Sequence, residues 1–159
     1  GNPNTSDCPE GLTLNAGLEL GSDDSFDNWG KWNGGGFLLA TTTPSEVYRG
    51  ARALKVVRDG SLGSGQWRIQ FVSDPVSTEI GASYSVYVWG RASATGGSFR
   101  VSTNPNALYT GDQNVNVTWT RHKFDFTANE ASTRIVLDLN GNNTAVTTFF
   151  LDDIKLIKN

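Results

Sequence analysis

Two adjacent carboxylates, Asp152 and Asp153, interrupt the apolar run FFLDDIKL that spans residues 149–156. A buried carboxylate loses its hydration, so an acidic pair inside a hydrophobic strand is costly unless a positive charge compensates it. A hard cation such as Ca²⁺, which prefers oxygen ligands, would supply that compensation. The pattern therefore favours a bound cation, and the alternative is that both carboxylates lie at a strand edge in water.

Other residues that could do chemistry are few. The single histidine, His122, alternates with Phe124 and Phe126, which favours a buried, hydrogen-bonded imidazole. Cys8 is also single, so it cannot form an internal disulfide. No Ser/His/Asp or Cys/His arrangement can therefore be assembled. Glycoside hydrolysis needs two carboxylates across a cleft, and Asp138 is the one that the pattern places on a polar strand face.

Polar side chains recur on one side of several predicted strands. Because alternate residues of a strand point to opposite faces, the residues that alternate with a core set mark the other face. Those residues are Arg68, Gln70, Arg100, Ser102, Arg134 and Asp138. If their strands are neighbours in one sheet, they form a polar floor that suits a sugar chain, whose hydroxyls need hydrogen-bond partners and whose C–H faces stack on aromatic rings. The alternative is the solvated side of an antiparallel sheet.

The whole chain reads as all-β, because no segment keeps apolar residues at helical spacing over three turns. About eight or nine short strands with one-sided alternation favour a two-sheet antiparallel β-sandwich. The principal predicted strands are 12–20, 53–58, 66–72, 84–89, 99–103, 118–126, 133–139 and 149–156. In the strand 66–72, alternation puts Trp67, Ile69 and Phe71 on the core face.

Length and charge limit the class of protein. A chain of 159 residues with a net charge of −3 is one domain of ordinary size, and neither nucleic acid nor an anionic membrane is a natural partner. We predict a polar linker or N-terminal extension at 1–11 and one domain at 12–159. The turn-rich composition, with 18 glycines, is typical of an exported protein, and we expect a monomer.

Several stretches together resemble the carbohydrate-binding modules of the family 4, 9 and 22 group. The stretches, in chain order, are LNAGLELG, NWGKW, YRGARALKV, GASYSVYVWGRAS, WTRHKFDFTA and FFLDDIKL. They cover most of the chain from Leu14 to Leu156. The resemblance implies a β-jelly roll with a concave sheet that faces a glycan, and a structural calcium ion.

The resemblance also implies ligands for that calcium. Similar modules hold the ion with the glutamate of the first motif and an aspartate of the last, which are Glu19 and Asp152 here. Main-chain oxygens are expected near Gly17 and Arg52. Such a site, with about six or seven oxygen ligands, would join the first strand to the last. Asp153 would then point to water or to a nearby cation.

For the glycan site, the resemblance assigns Trp67, Gln70, Tyr109, Arg134 and Asp138. We add Arg100 from the polar floor, and Trp32, because its parity is opposite to that of the buried Trp29. Trp67 presents a conflict, since it lies three residues before Gln70 and can share a face with it only if a bulge or strand end intervenes. Trp89 and Trp119 are assigned to core or turn packing.

The sequence therefore predicts a non-catalytic module that binds a soluble or amorphous polysaccharide, xylan first and β-glucan second. The module would bring an attached catalytic domain of a secreted glycoside hydrolase to its substrate. Two alternatives stay open: a jelly-roll enzyme that degrades polysaccharides, and a structural or adhesive sandwich without a glycan site.

Overall fold

The computed structural model describes residues 11–141 and 147–159. The predicted extension 1–11, with Cys8, therefore lies outside the described residues except for Gly11. Among the described residues, no helix has the length and apolarity that a membrane crossing needs.

The described residues form β-strands and three short 3₁₀ turns. The strands are β1 (Trp29–Asn33), β2 (Leu38–Thr41), β3 (Ala53–Arg58), β4 (Gln70–Ser73), β5 (Val76–Ser77), β6 (Ser83–Ala92), β7 (Gly97–Asn104), β8 (Gln113–Val115), β9 (Thr120–Thr127), β10 (Ser132–Asp138) and β11 (Thr147–Lys158). The 3₁₀ turns are Gly35–Phe37, Pro44–Glu46 and Gln66–Arg68.

The strands pair into two antiparallel sheets. The first sheet has the order β1-β4-β10-β7-β8, with β5 paired to β10, and the second has the order β2-β3-β11-β6-β9. The prediction of an all-β, two-sheet sandwich is confirmed. The strands β4, β10 and β7 are distant in the chain but adjacent in the first sheet, so their polar residues become neighbours, as the polar-floor hypothesis requires.

The core lies between the sheets and follows the period-2 alternation of the strands. On β9, Phe124 and Phe126 are buried while Lys123 and Asp125 are exposed, and His122 is buried with the phenylalanines. On β10, the alternation likewise buries the predicted apolar set against the second sheet. These core predictions are confirmed.

The predicted first strand, 12–20, is wrong. This segment turns instead of extending, and Asn15 and Leu18 have positive φ angles of 49° and 60°. The Asn15 side chain holds the turn, because its Nδ2 donates to the carbonyl oxygens of Leu20 (2.9 Å) and Asp27 (2.8 Å). The segment nevertheless lies along β11, since the main-chain N–H of Leu12 donates to Leu156 O at 2.7 Å.

The predicted strand 66–72 begins four residues late, which corrects two assignments. Gly65 has φ 119°, and the Arg68 N–H donates back to Gly65 O at 3.2 Å, so residues 66–68 turn before β4 starts at Gln70. Trp67 is therefore 51% exposed and not in the core. Arg68 leaves the polar floor for the same reason and donates its Nε to Ser64 O at 2.9 Å.

A bulge interrupts the last strand at the acidic pair. Asp152 pairs with Trp89 and Lys155 with Tyr87, so three steps on β11 match two steps on β6. Asp153, at the bulge, has φ 48°. Asp152, Asp153 and Ile154 are all buried, as are the residues before and after them from Phe149 to Leu156.

Candidate functional site

Asp138 is the centre of a hydrogen-bond network on the outer face of the first sheet. It lies opposite Gln70 on one side and Arg100 on the other. Gln70 Nε2 donates to Asp138 Oδ1 (2.9 Å), and Arg100 Nε (3.0 Å) and Ser102 Oγ (2.8 Å) both donate to Asp138 Oδ2. The Asp138 side chain is 1% exposed and that of Arg100 is 16% exposed.

The network extends across four neighbouring strands. Asn33 Nδ2, at the end of β1, donates to Gln70 Oε1 at 2.7 Å, so hydrogen bonds run from β1 through β4 and β10 to β7. Each side chain is held in one orientation by its neighbour, which pre-positions the remaining donors and acceptors for a ligand. We call this surface, from Asn33 to Ser102 with Asp138 at its centre, the Asp138 face.

Exposed aromatic rings accompany this face. Tyr109, in the loop between β7 and β8, is 56% exposed, and its ring centroid lies 4.2 Å from the Arg100 guanidinium. Trp32, on β1, is 46% exposed and lies 5.4 Å from the Arg134 guanidinium. Both rings are thus exposed and held by an arginine of the strands that carry the Asp138 network.

The structure brings most of the predicted glycan-site residues together. Gln70, Arg100 and Asp138 are joined by direct hydrogen bonds. Tyr109 reaches this set through Arg100, and Arg134 lies on the same strand as Asp138, with Nη1 donating to Ser73 O at 3.1 Å. Trp67 precedes β4 and packs with Arg68, whose guanidinium lies 4.9 Å from its ring. Their role in binding stays a prediction.

Asn33 was missed by the sequence analysis. It lies on β1, whose residues WGKWN do not alternate cleanly, and its pairing with Gln70 follows a register shift after Lys31. The signal that could have found it is the glycine-rich stretch that follows, since the Gly34 φ of 62° ends the strand there.

Of the two predicted carboxylate ligands of calcium, Asp152 lies on β11, the central strand of the second sheet, and Glu19 lies in the segment before β1. Glu19 Oε1 accepts a hydrogen bond from the Ala51 N–H at 2.7 Å. Asp152 Oδ2 accepts from the N–H groups of Tyr48 and Arg49, both at 3.1 Å, and Oδ1 accepts from the Asp153 N–H at 2.9 Å. Both carboxylates therefore bind the same loop, residues 48–51, which leads directly to Arg52.

Burial governs the charge of Asp152. It raises the pKa of the carboxyl to about 6, although hydrogen bonds from the main-chain N–H groups of Arg49 and Asp153 act to lower it. A nearby divalent cation would favour the ionised form. Asp153 was expected to point to water or to a nearby cation. Its Oδ2 lies 3.9 Å from Arg49 Nε, so it points to a cation.

An oxygen-coordinated ion would draw here on the carboxylates of Glu19 and Asp152, each of which accepts main-chain N–H hydrogen bonds from the loop 48–51. Gly17, two residues before Glu19, is buried. The Arg52 side chain is turned away from that role, because its guanidinium donates to the carbonyl oxygens of Leu18 (3.2 Å) and Ser25 (2.5 Å). Any contribution of Arg52 to an ion would come from its main chain. Within residues 11–141 and 147–159, no cluster of three or more Asp, Glu, His or Cys forms a metal site.

Comparison with known proteins identifies the fold. No protein-family model matches the sequence, and no curated protein sequence matches it. A solved family 61 carbohydrate-binding module, in complex with β-1,4-galactotriose, is similar over 94% of this chain and 99% of its own, with 17% identity and a TM-score of 0.70. The CBM22-1 xylan-binding domain of Xyn10C from Paenibacillus barcinonensis is similar over 89% and 90%, with 13% identity and a TM-score of 0.58.

The same fold also occurs inside a larger enzyme. An arabinose-bound family 51 α-L-arabinofuranosidase matches 98% of this chain, but only 28% of its own length, with 14% identity and a TM-score of 0.72. The chain therefore has the β-jelly-roll fold that is found in carbohydrate-binding modules of several families, as the resemblance of its motifs implied.

Proposed function

We propose that this domain is a non-catalytic carbohydrate-binding module that binds a neutral β-linked polysaccharide on the Asp138 face. The observation that carries the proposal is the hydrogen-bond network across four strands, with exposed Trp32 and Tyr109 on the same face. Amide, guanidinium and hydroxyl groups match sugar hydroxyls, while the rings match the C–H faces of pyranoses.

The geometry supports binding and argues against hydrolysis. Asp138 already accepts three hydrogen bonds, so it is poorly placed to donate or abstract a proton. Hydrolysis by paired carboxylates would need a second group at about 5–10 Å across the sugar. No described residue supplies such a carboxylate within the Asp138 network.

Xylan is the first ligand we propose and a β-glucan the second. A β-1,4-galactan belongs in the same test, because a galactotriose complex is known for a module of this fold. We further propose that the module is a secreted monomer that holds an attached glycoside hydrolase at its substrate by raising the local concentration. The presence of the same fold within a larger arabinofuranosidase chain supports that arrangement.

A structural calcium ion is the remaining part of the proposal. Glu19 and Asp152 would hold it through their carboxylates, and main-chain oxygens near Gly17 and Arg52 would complete the coordination. The convergence of both carboxylates on the loop 48–51 supports this assignment. The ion would supply positive charge beside a buried carboxylate and link the segment before β1 to β11.

Calorimetric titration with xylo-, cello- and β-1,4-galacto-oligosaccharides tests the binding function. We expect saturable, enthalpy-driven binding to one series, and a loss of affinity of about tenfold when Trp32→Ala removes an exposed stacking surface. Ile80→Ala is the matched control, because Ile80 is a large exposed side chain outside the network. The absence of binding across a broad glycan panel would favour a structural sandwich instead.

A turnover assay distinguishes the enzyme alternative. The isolated domain should release no reducing ends from any polysaccharide that it binds. Turnover that disappears in Asp138→Asn would falsify the non-catalytic assignment.

A further inference from the structure

The outer face of the second sheet carries a pocket that the proposed function does not use. It has a volume of about 330 Å³, which is at the lower end of the range for small-molecule sites and large enough for one sugar ring. It is lined by Arg49, Tyr87, Trp89, Arg121, Asp153, Lys155 and Ile157. We call this surface the Trp89 face.

Two aromatic side chains form the apolar part of the pocket. Tyr87 and Trp89 are two residues apart on β6, so they project from the same side of the sheet at a spacing of about 7 Å. The Trp89 ring is fixed from one side by Tyr48, which stacks on it at 4.0 Å with an interplanar angle of 12°. Trp89 therefore lies outside the core between the sheets and packs on a loop beside the pocket, so of its assignment to core or turn packing only packing against a turn holds.

Cationic side chains surround these rings. Arg121 lies opposite Trp89 on β9, with its guanidinium 4.7 Å from the Tyr87 ring centroid, and Lys155 lies opposite Tyr87 on β11. Lys155 is only 8% exposed, and within the described ranges it forms no hydrogen bond or ion pair. The lining also holds the carboxylate of Asp153, which lies 3.9 Å from Arg49 Nε. Three cations against one carboxylate leave the pocket with a net positive charge, which suits a negative ligand.

Aromatic rings with cations at their edge match one chemical class closely. A hexuronic acid residue has an apolar C–H face for the rings and a planar carboxylate for a guanidinium and an ammonium. The protein as a whole carries a net charge of −3, so a local cluster of cations is a specific feature of this face. We propose that the Trp89 face is a second carbohydrate site, which binds the carboxylate and ring of a uronic acid.

This second site is independent of the Asp138 face. The two surfaces belong to different sheets, since Asp138 lies on β10 and Trp89 on β6. A neutral chain bound to the first sheet and a uronic acid bound to the second would therefore contact opposite sides of the sandwich. One module could link two glycans of different charge.

A matched pair of ligands tests the proposal, namely methyl β-glucuronoside and methyl β-glucoside, which differ in the carboxylate. In nuclear magnetic resonance titrations of the whole chain, the glucuronoside should shift the signals of Tyr87 and Trp89 to saturation, while the glucoside should not. Arg121→Gln, a change at an exposed residue, should weaken the glucuronoside about tenfold, and added salt should weaken it further.

Two control variants keep the result interpretable. Arg91→Gln removes a cation from β6, on the same side as Tyr87 and Trp89. Because Arg91 packs on Phe150 at 5.7 Å and does not line the pocket, this variant should bind the glucuronoside as tightly as the wild type does. Trp32→Ala alters the Asp138 face and should leave the glucuronoside titration unchanged. Equal shifts with both sugars, equal losses in Arg91→Gln and Arg121→Gln, or no saturable shift at Trp89 would each overturn the proposal.

Discussion

The outer faces of the two sheets differ in how their charged side chains are paired. On the Asp138 face, the carboxylate is surrounded by the donors of Gln70, Arg100 and Ser102, so charge is balanced within the protein. On the Trp89 face, Lys155 and Arg121 have no carboxylate within ion-pair distance among the described residues. The Asp138 network neutralises its own carboxylate and suits a neutral sugar, whereas the Trp89 pocket, lined by three cations and the single carboxylate of Asp153, suits an anion.

The largest effect that we expect comes from Asp138→Ala. It leaves the guanidinium of Arg100 largely buried without its partner and should lower the free energy of unfolding by about 3 kcal/mol, measured by chemical denaturation. Binding of the neutral oligosaccharide should also be lost, because Gln70 and Arg100 are no longer oriented. Asp138→Asn, which keeps the size and one acceptor, should lose less of both. An unchanged Asp138→Ala protein would contradict the central role of this network.

Removal of the proposed calcium ion should affect the Trp89 face more than the Asp138 face. If free calcium exceeds its dissociation constant about a hundredfold, a chelator should cost about 2.7 kcal/mol and lower Tm by about 5–10 °C. Asp152 also holds the N–H groups of Tyr48 and Arg49, which contribute to the Trp89 face, so chelation should weaken uronic acid binding more than neutral-glycan binding.

Glu19→Ala is the matched variant for the calcium prediction. It removes the proposed carboxylate ligand that lies outside β11, so the variant should melt at one temperature with and without chelator. Scanning calorimetry at fixed calcium gives both values. If the wild-type protein melts at the same temperature in the two conditions, no calcium ion stabilises the fold.

A smaller effect is expected at the exposed rings of the Asp138 face. Trp32→Ala and Tyr109→Ala should each weaken the neutral oligosaccharide about tenfold, while the free energy of unfolding changes by no more than about 0.5 kcal/mol. Neither change should alter the titration of the Trp89 face. Calorimetric affinities and denaturation curves measured on the same samples separate the two effects, and a large loss of stability would show that the rings are structural.

The smallest effect that we expect is a pH dependence of folding stability, which comes from His122. His122 lies between the sheets, with Nδ1 3.1 Å from Gln113 Oε1 and its ring edge-on to Phe99 at 5.1 Å. Burial lowers the pKa of this imidazole below its ordinary value of 6.5. The unfolded chain therefore takes up a proton first as the pH falls, so His122 favours the folded state above pH 6.5 and this contribution is lost below it.

Because the chain has one histidine, its ring signals can be titrated directly by nuclear magnetic resonance. A midpoint at or above 6.5 in the folded protein would contradict the burial that the structure shows. His122→Gln should remove this contribution from the pH dependence of stability and leave the difference between the two faces unchanged.

Much of the architecture is determined by local pattern. Strict alternation on β9 predicts which residues are buried, because alternate residues of a pleated strand share a face. On β10 it predicts the apolar set Ile135 and Leu137, but Val136 and Asp138 on the other face are buried as well. The acidic pair in β11 likewise predicts a compensated, buried carboxylate, and Asp152 is fully buried. What the pattern could not provide was the partner of each carboxylate, since the loop 48–51 is a hundred residues away in the chain.

Tertiary structure decided the cases in which both faces of a segment carry bulky residues. In β6, the two sets Tyr84/Val86/Val88 and Tyr87/Trp89 are both apolar enough for a core, and contact with the first sheet selects the former. Trp67 lies in the turn that follows Gly65 and not in a strand, so the alternation of the sequence does not predict which way its side chain points. Parity along a strand is a local property, but the side that faces inward depends on where the other sheet lies and on where the strand begins.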